Sequence, residues 1–587
     1  MAAVQCCRRY VFAYFFPDQK MFFGIFGNRE RRFLVASSGK LRIIPLGGVD
    51  GIGKNITAFE YEDDIIVVDC GSMFPKEDML GIDLVIPDVS YLAGKKDNVR
   101  GYVFTHGHED HIGAVPYVLK QVPAPLYGTR LTLALVDMKL KEHRVSGIAL
   151  NVVSPRDEIQ LGKFSVRFIK VSHSIAGATA LAITCPAGTV VVSGDFKIDY
   201  TPIDGEVTDL PSFAEIGDRG VLAFLCESTN VERQGYTMSE RKVGETFFKL
   251  FEKAQGRILV AMFASNIHRI QMMIDNAVRF GRKVCFIGRS MISVSRVAMQ
   301  IGELTIPEGY LVEMDDIDIY PDDQLLVITT GSQGEAMSGL TRMAFNEHRK
   351  LQIRPTDMVI ISATPIPGNE KSVARVINQL YRCGAEVIYS ALEAVHVSGH
   401  ACQEELKLLH VLVRPQYFIP IHGEYRMLWQ HAELAESMGM NRKNIVIPEL
   451  GQVIEMNETS LAITETVPTG GVLVDGLGIG DVGNVVLRDR KHLSQDGLII
   501  IVMAIDRDRG VLVSGPDVIS RGFVYVRENE DIIESTRDLV RGIIVSYGKL
   551  DGSDWLPMKN RIKDELHRYI YEKIKRNPMV LPIIVEI

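Results

Sequence analysis

The sequence predicts a multidomain α/β protein, because two patterns of strands and helices follow one another along the chain. After residue 40, short apolar strands with interspersed helices are typical of sheets packed between helical layers. From about residue 240, single strands alternate with helices, which predicts parallel strands joined by crossover helices. A length of 587 residues suits about three or four such domains.

The first part of the chain is rich in predicted strands. Three acidic residues at 62–64 separate two apolar runs and predict a hairpin of the strands 56–61 and 65–69. A helix is expected over 112–121, with Pro116 in its first turn. Further strands are predicted at 41–46, 99–105, 164–171, 180–184 and 189–193.

The middle and last parts have patterns of their own. Strands at 257–262 and 283–287 alternate with helices at 240–253, at 266–280 and from 291 onward. After 456, strands precede two helices at about 531–547 and 555–576. We therefore expect a first domain at 41–206, an inserted α/β domain at 207–385, a return to the first domain at 386–456, and a small C-terminal α/β domain at 457–587.

The composition favours a cytoplasmic protein without a membrane partner. A net charge of -8 and a pI of about 6.0 argue against a protein that coats nucleic acid by charge alone. The eight cysteines are scattered and form no Cys-x-x-Cys pair, which is typical of reduced thiols in a cytosolic protein. No run of about 18 apolar residues is present, so we expect no membrane span.

Residues 1–40 do not fit the pattern of the rest. They contain two aromatic-rich runs flanked by arginines, without the long apolar centre and cleavage site of a secretory signal. We expect a disordered extension or a translation start placed too early, with Met21 as another candidate start. An organelle transit peptide is the alternative.

The strongest chemical signal is a run in which three histidines and two carboxylates fall within six residues, directly after a predicted strand. Imidazole and carboxylate suit divalent cations such as zinc and manganese. On a tight loop, His106 and His108 can face one cation, and Asp110 and His111 can face a second. A solvated polar loop is the alternative, but Gly107 allows the tight backbone that a ligand loop needs.

Three more ligand candidates follow later strands. His173 follows an apolar run at 168–171, Asp195 follows one at 191–194, and His422 follows one at 417–419. Each is weak alone, because a lone histidine is more often a satisfied core or surface residue. Together with the histidine run they make seven ligands, enough for two cations bridged by a carboxylate.

These residues resemble the ligand series of the metallo-β-lactamase fold, and Asp69 resembles the aspartate that supports the ligand loop there. The middle domain is similar to the β-CASP insertion of members that process nucleic acids. Within that group the chain resembles the bacterial ribonuclease J family over roughly 41–587. The strings that carry the likeness lie at 41–48, 105–113, 193–197, 227–230, 263–269, 288–291, 330–335, 365–370 and 396–401.

The resemblance implies a metallo-β-lactamase αββα sandwich with an inserted β-CASP α/β domain and two divalent cations, Zn²⁺, Mn²⁺ or both. Its ligand pattern assigns His106, His108 and His173 to one cation, Asp110, His111 and His422 to the other, and Asp195 to both. Such a pair lowers the pKa of a water between the cations and neutralises phosphate oxygens during an in-line attack.

Further roles follow from the same resemblance. His400 is the candidate helper of the leaving oxygen, and Glu227 the carboxylate that orients or charges it, although aspartate is commoner there and a capping or salt-bridging role is the alternative. The 5′-terminal phosphate pocket is expected from two segments, Ser265, Asn266 and Ile267, and His396, Val397, Ser398, Gly399 and His400. For the first segment, helix capping is the alternative. A structural Ca²⁺ site that includes Asp475 is a further candidate, with an ordinary turn as the alternative.

The implied function is a 5′-to-3′ exoribonuclease that also cuts internally, favours 5′-monophosphorylated RNA and serves rRNA maturation and mRNA decay. RNA is then the substrate, and a homodimer or homotetramer is expected, with a paralogue or an RNA-degradation complex as further partners. One alternative is another hydrolase on the same site, such as a β-CASP DNA nuclease or a small-ester hydrolase. The other is a non-catalytic RNA-binding scaffold. The long middle domain argues against a small substrate, and the complete ligand set argues against a scaffold.

Overall fold

The computed structural model describes residues 39–587 except 77, 336, 367–368, 477, 507–508, 524–529 and 549–554. The prediction for residues 1–40 lies outside the described residues, apart from 39 and 40, which precede the first strand. No helix in the described ranges combines the length and the apolar run that a membrane crossing requires.

The first segment supplies most strands of two large sheets. Its strands are β1 (Leu41–Pro45), β2 (Thr57–Tyr61), β3 (Asp64–Val68), β4 (Leu84–Pro87), β5 (Val99–Val103), β6 (Leu126–Gly128), β7 (Leu150–Val152), β8 (Glu158–Leu161), β9 (Phe164–Lys170), β10 (Thr179–Cys185), β11 (Gly188–Val192) and β12 (Val221–Glu227). Its helices are α1 (Ser90–Ala93), α2 (Glu109–Ile112), α3 (Val115–Val118), α4 (Arg130–Glu142) and α5 (Leu210–Arg219).

Two predictions for this segment have different outcomes. The hairpin around 62–64 is confirmed, because β2 and β3 pair antiparallel from Thr57 opposite Val68 to Tyr61 opposite Asp64. The single helix over 112–121 is wrong. Helix α2 begins inside the histidine run and ends before Gly113, and α3 is a separate single turn with Pro116 at its start.

The middle segment forms the inserted α/β unit. It contains α6 (Glu240–Lys253), β13 (Ile258–Ala261), α7 (Ile267–Arg279), β14 (Lys283–Ile287), α8 (Arg289–Gln300), β15 (Leu325–Thr329), α9 (Gly339–Ala344), β16 (Met358–Ile361), α10 (Glu370–Arg382) and β17 (Glu386–Tyr389). All five strands are parallel, in the order β14-β15-β13-β16-β17, as the alternating pattern predicted. Strand β17 pairs with β16 and so belongs to this sheet, although it follows residue 385, the predicted end of the inserted domain.

The chain then returns to the first unit. The returning elements are α11 (Gln403–Val413), β18 (Pro415–Ile421), α12 (Tyr425–Ser437), β19 (Gln452–Asn457), β20 (Ser460–Thr466), β21 (Gly471–Asp475) and β22 (Gly478–Ile479). Strands β18, β19 and β20 join the two large sheets, and β21 and β22 form a small sheet with β4. Strand β20 pairs with β19, and β21 pairs with β4, so both continue the first unit beyond the predicted limit at 456. The domain limits stay predictions.

Two sheets packed face to face form the centre of the first unit. The eight-stranded sheet has the order β20-β19-β1-β2-β3-β5-β6-β7, and the six-stranded sheet has the order β18-β12-β11-β10-β9-β8. Successive residues of a strand enter different cores: Ile66 and Val68 of β3 lie between the sheets, whereas Ile65 and Val67 pack with α3 and α4. The other face of the six-stranded sheet packs on α5, α11 and α12. The predicted αββα sandwich is confirmed.

The C-terminal unit is a three-stranded sheet with two helices on one face. It contains α13 (Asn484–Asp496), β23 (Leu498–Asp506), β24 (Val511–Arg521), α14 (Glu530–Tyr547), α15 (Trp555–Ile574) and β25 (Met579–Glu586). Alternate residues of the central strand, Ile499, Ile501 and Met503, are buried against the helices. Strand β25, which no pattern predicted, pairs in parallel with β23.

Candidate metal centre

The histidine run lies where β5 ends, and a neighbouring strand supports it. Strands β3 and β5 are parallel, with Val68 opposite Val103, so the residues that follow them meet at one sheet edge. Asp69 follows β3 and accepts hydrogen bonds from the Thr105 backbone N–H at 2.8 Å and from His111 Nδ1 at 2.8 Å. This carboxylate orients the run from behind, which is the supporting role that the resemblance implied.

The later candidates arrive at the facing edge of the six-stranded sheet. Strands β9, β11, β12 and β18 run in the same direction there, because β11, β12 and β18 pair in parallel and β9 is antiparallel to β10, which is antiparallel to β11. Their carboxyl ends therefore deliver His173, Asp195, Glu227 and His422 to one place. The topology explains how side chains so distant in sequence converge.

Asp195 lies at the centre of the cluster. Its Oδ2 atom is 3.2 Å from His111 Nε2, 3.6 Å from His106 Nε2, 3.7 Å from His422 Nε2 and 3.8 Å from His173 Nε2. Potential ligand atoms lie within 4.8 Å of one another in two groups that share Asp195. One group is His106, His108, His173 and Asp195, and the other is Asp110, His111, Asp195 and His422. The structure thus brings together the residues of the two sets that the resemblance implied.

Hydrogen bonds on the outer side of the rings turn their Nε2 atoms inward. His173 Nδ1 donates to the Gly399 carbonyl at 2.8 Å. His422 Nδ1 lies 2.7 Å from Thr229 Oγ1, which uses its own hydrogen on the His422 carbonyl. His106 Nδ1 lies 3.1 Å from Thr105 Oγ1. An outer partner on each ring is typical of metal-binding histidines, because it fixes the tautomer and leaves the inner lone pair for the ion.

The charge state of the cluster also fits divalent cations. Burial lowers the pKa of His106 and of His173 well below the ordinary histidine value, so both rings are neutral and offer lone pairs. Burial would raise the pKa of Asp195, but nearby His422 and His111 lower it well below its usual range, so the carboxylate is ionised. The neighbouring carboxylates outweigh burial at His111 and His422 and raise the pKa of both rings. Imidazoles grouped with ionised carboxylates are the donors that zinc-like or manganese-like ions take.

His400 and Glu227 form a pair beside this cluster. Glu227 ends β12 with 1% exposure, and its Oε2 accepts from His400 Nδ1 at 2.7 Å while Oε1 accepts from the Phe196 backbone N–H at 2.9 Å. Burial would lower the pKa of His400, but Glu227 and then Asp195 raise it to about 9. The glutamate therefore reaches the imidazole despite its longer arm. With Asp195 and His422 the pair also forms a third group of potential ligand atoms.

The two predicted pocket segments meet through one arginine. Asn266 caps helix α7, because its Oδ1 accepts from the Arg269 backbone N–H at 3.1 Å, so the capping alternative is confirmed for this residue. One turn into that helix, Arg269 Nη1 lies 2.9 Å from His396 Nδ1. Ser265 and Ile267 flank Asn266 at the carboxyl end of β13, so the structure places both segments at the same edge of the parallel sheet, where open α/β sheets bind ligands.

The rest of the 396–400 loop joins the pocket to the metal centre. Val397 is buried, with 3% exposure, and holds the loop in the core. The side chain of Ser398 accepts a hydrogen bond from Asn230 Nδ2 at 2.8 Å. The carbonyl of Gly399 binds His173, so the loop touches a candidate ligand directly.

Gly399 is expected to be required for the position of His173. A Cβ atom at 399 would lie 2.7 Å from the His173 ring, closer than real contacts allow. We expect Gly399→Ala to displace that ring and to weaken cation binding about 10- to 100-fold, the usual effect of disturbing an outer partner of a metal ligand. Metal titration followed by calorimetry measures it. Gly51→Ala is the control, since a Cβ there meets nothing within 4 Å, and equal losses in both variants would contradict the prediction.

The Ca²⁺ site proposed around Asp475 finds no support. The three ligand groups present among the described residues do not include Asp475. Its Oδ2 atom pairs instead with Arg490, so a guanidinium takes the position of a cation. The ordinary turn between β21 and the following residues accounts for this aspartate.

Sequence reasoning missed several residues that hold the ligands. Asn55 Nδ2 lies 3.0 Å from the Asp110 carbonyl and 3.0 Å from His111 Nε2, but it precedes a strand and no spacing marks it. Thr229 lies in the 227–230 segment, where the resemblance gives a role to Glu227 alone. Arg269 ends the 263–269 segment, and its burial depends on tertiary packing that local sequence does not show.

Comparison with family models divides the chain into four matching regions. The metallo-β-lactamase superfamily model matches residues 49–223, and the ribonuclease J β-CASP domain model matches 255–380. The RNA specificity domain of Zn-dependent metallo-hydrolases matches 385–448, and the ribonuclease J C-terminal domain matches 485–587.

Curated relatives match over nearly the whole chain. Ribonuclease J2 of Bacillus subtilis is 44% identical over 548 residues, which are 93% of this chain and 99% of the relative. Ribonuclease J 1 of Streptococcus pyogenes is 41% identical over 92% of this chain and 97% of its own length. A solved structure, a protein of unknown function from Enterococcus faecalis, superposes with a TM-score of 0.51 at 16% identity, covering 71% of this chain and 100% of its own, and supports the fold alone.

The fold and the cluster of histidines and aspartates define a metallo-hydrolase of the metallo-β-lactamase superfamily with a β-CASP insertion. Identities of 44% and 41% across more than nine tenths of the chain are specific enough to define the family. The chain belongs to the ribonuclease J family.

Proposed function

We propose that this chain is a metal-dependent ribonuclease that removes nucleotides from the 5′ end of RNA, favours a 5′-monophosphate and also cuts internally. The observation that carries the proposal is the contact between the 396–400 loop and the metal centre, through His173 Nδ1 and the Gly399 carbonyl. A terminal phosphate held on this loop presents the adjoining phosphodiester to the cluster. The names of the relatives, which are ribonucleases J, support RNA as the substrate.

Different residues of the chain would bind the cations and supply the proton in the proposed reaction. His106, His108, Asp110, His111, His173, Asp195 and His422 would hold two divalent cations, either zinc or manganese. When bound, such cations supply an activated water and neutralise the charge of the phosphate. His400 holds a proton next to the centre for the leaving oxygen, and its contact with the Glu227 side chain raises the pKa of the imidazole and orients it.

A comparison of end groups tests this function. The full-length protein is incubated with Mn²⁺ or Zn²⁺ and with 3′-labelled RNA that bears a 5′-monophosphate, triphosphate or hydroxyl, beside DNA of the same sequence. We expect stepwise shortening mainly of the monophosphorylated RNA, and none after chelation with EDTA. Cleavage of DNA alone would assign a DNA nuclease, and binding without cleavage would assign a scaffold; either result refutes the proposal.

We further propose that the protein acts in the cytoplasm, in rRNA maturation and mRNA decay. The six described cysteines are free thiols, which agrees with a reducing compartment. A paralogue or an RNA-degradation complex are the partners that this role would bring.

The C-terminal sheet supports self-association. The face that turns away from α14 and α15 carries Ile500 in the centre, with Ile519 and Leu581 opposite it on the two flanking strands, and Ile583 beside Val502. Ile519, Leu581 and Ile583 are between 40% and 44% exposed. An apolar patch of this kind on a soluble protein is typical of an interface. We propose a second copy of the chain as its occupant.

Ile583→Asp is expected to shift the protein from dimer or tetramer to monomer, because a buried unpaired carboxylate would oppose association. Sedimentation velocity measures the change. Val545→Asp, an equally drastic change at a position 72% exposed on α14, should leave the assembly intact. An unchanged sedimentation coefficient for Ile583→Asp would contradict the proposal that this face is the interface between copies of the chain.

A further inference from the structure

Arg269 is a fully buried cation whose contacts join the inserted unit to the 396–400 loop. It is 1% exposed, and its Nη2 donates to Glu240 Oε1 at 2.5 Å. Its Nη1 donates to the carbonyl of Ser362 at 3.1 Å and to His396 Nδ1 at 2.9 Å. The same guanidinium therefore neutralises a buried carboxylate and fixes a loop histidine.

This contact decides which nitrogen of His396 carries the hydrogen. A guanidinium has donors and no acceptor, so Nδ1 must be the accepting atom and the ring proton resides on Nε2. Burial, and then the charges of Arg269, Arg233 and Lys197, lower the pKa of His396 to about 3, so the ring stays neutral. His396 is thereby held as a hydrogen-bond donor at Nε2.

Asn230 acts in a similar way on Ser398. Its Nδ2 group donates to the His400 carbonyl at 2.9 Å, and because a carbonyl only accepts, this contact fixes the orientation of the amide. The same Nδ2 group donates to Ser398 Oγ at 2.8 Å, and the His400 backbone N–H donates to that oxygen at 3.2 Å. Both acceptor positions of the hydroxyl are then filled, which leaves its hydrogen as a donor.

We propose that Arg269 and Asn230 are positioning residues that make the 396–400 loop a donor-only surface, and that this surface selects a terminal phosphate over a terminal hydroxyl. The inference rests on the proposed function and deepens it. A phosphate monoester is rich in acceptor oxygens and matches such a surface. A 5′-hydroxyl end brings fewer acceptors and no charge, so it leaves the loop donors unmatched.

The test compares binding of two oligonucleotides by the metal-loaded full chain. Both are 3′-labelled RNAs with a non-hydrolysable first linkage, one with a 5′-monophosphate and one with a 5′-hydroxyl. The measured quantity is the ratio of their dissociation constants. The double variant Glu240→Met with Arg269→Met removes the buried pair without leaving an isolated charge, and we expect this ratio to fall about tenfold, as losing one hydrogen bond to a charged group implies.

A matched control comes from the amino ends of the strands in the same parallel sheet, because Arg257 precedes β13 and Asp357 precedes β16. Arg257 and Asp357 form another buried pair, with Nη2 to Oδ2 at 2.7 Å and exposures of 3% and 1%. The double variant Arg257→Met with Asp357→Met removes a comparable buried ion pair but leaves the 396–400 loop unchanged. It should therefore keep the wild-type ratio of the two dissociation constants. An equal loss in this control would overturn the proposal, because general loosening would then explain both results.

Asn230→Ala provides a second, independent arm. The His400 carbonyl keeps a donor in that variant, since Thr237 Oγ1 binds it at 2.8 Å. We expect the ratio to fall several-fold. Ser398→Ala combined with it should add less than it does alone, because Asn230→Ala already frees the hydroxyl whose fixed hydrogen Ser398→Ala removes. Additive effects would overturn the role of Asn230.

The two proposals fail in distinguishable ways. A wild-type protein that binds both ends equally would refute the 5′-phosphate pocket itself, and this inference with it. A wild-type protein that prefers the phosphate, together with variants at 240, 269 and 230 that prefer it equally, would refute only the inference about Arg269 and Asn230.

Discussion

Replacing Asp195 with asparagine is expected to lower the rate of RNA hydrolysis at least about 1,000-fold and to reduce the bound metal. Asp195 belongs to both ligand groups, and its Oδ2 lies within 3.8 Å of inward-facing nitrogens of four histidines. An amide of the same shape lacks the negative charge that two neighbouring cations require, and a loss of several kcal/mol of charge stabilisation corresponds to this factor. Single-turnover rates and metal analysis by mass spectrometry measure the two effects.

Asp199→Asn is the matched control for this change. Asp199 is a buried aspartate, 4% exposed, in the same segment, and it accepts from the Thr201 and Glu240 backbone N–H groups outside the ligand groups. Its variant should keep both cations and most activity. Wild-type turnover by Asp195→Asn would contradict the assignment of the centre.

His400→Ala is expected to slow the chemical step by about 10²- to 10⁴-fold, the usual contribution of a positioned general acid, with little change in metal content. The ring sits 2.7 Å from Glu227 and 3.9 Å from Asp195, and the pKa of about 9 keeps it protonated near neutral pH. Glu227→Gln should have a smaller effect in the same direction, because the proton donor remains but loses its charged partner.

A modified substrate separates proton donation from metal binding. Sulfur in place of the leaving oxygen departs without a proton. On that substrate the loss of cleavage rate caused by His400→Ala, relative to wild type, should therefore shrink. The loss of rate caused by Asp195→Asn should stay the same. His268→Ala, a histidine outside the ligand groups, controls for loss of an imidazole nearby. Loss of both cations from His400→Ala would instead assign this residue to the third ligand group.

The sequence predicted those parts of the fold that local patterns determine. The alternating middle segment has helices and strands within a few residues of the expected positions, such as α6 at Glu240–Lys253, because amphipathic helices and buried strands have distinct periodicities. The helix over 112–121 failed because a capping position at His108 and the break at Gly113 shift the first turn into the ligand run. Strand β25 was missed because its membership depends on pairing with the distant β23.

In the candidate site too, features set by local sequence could be predicted and features set by tertiary contacts could not. The ligand run could be recognised from its density of histidines, and family resemblance placed the distant ligands, which the geometry brings together. The supporting residues could not be found that way. Asn55, Thr229 and Arg269 act through tertiary contacts, and nothing in their local sequence distinguishes them from caps or surface residues.

The pairing of β12 with β18 has a consequence for synthesis. These neighbouring strands, joined from Val221 opposite Pro415 to Glu227 opposite Ile421, bracket the whole inserted unit in the chain. His422 follows the second strand, so its imidazole is translated only after that unit is made. A nascent polypeptide that ends before this residue lacks one of the seven proposed ligands. Its own mRNA would therefore meet a complete copy of the proposed centre on that polypeptide only after most of the coding sequence had been translated.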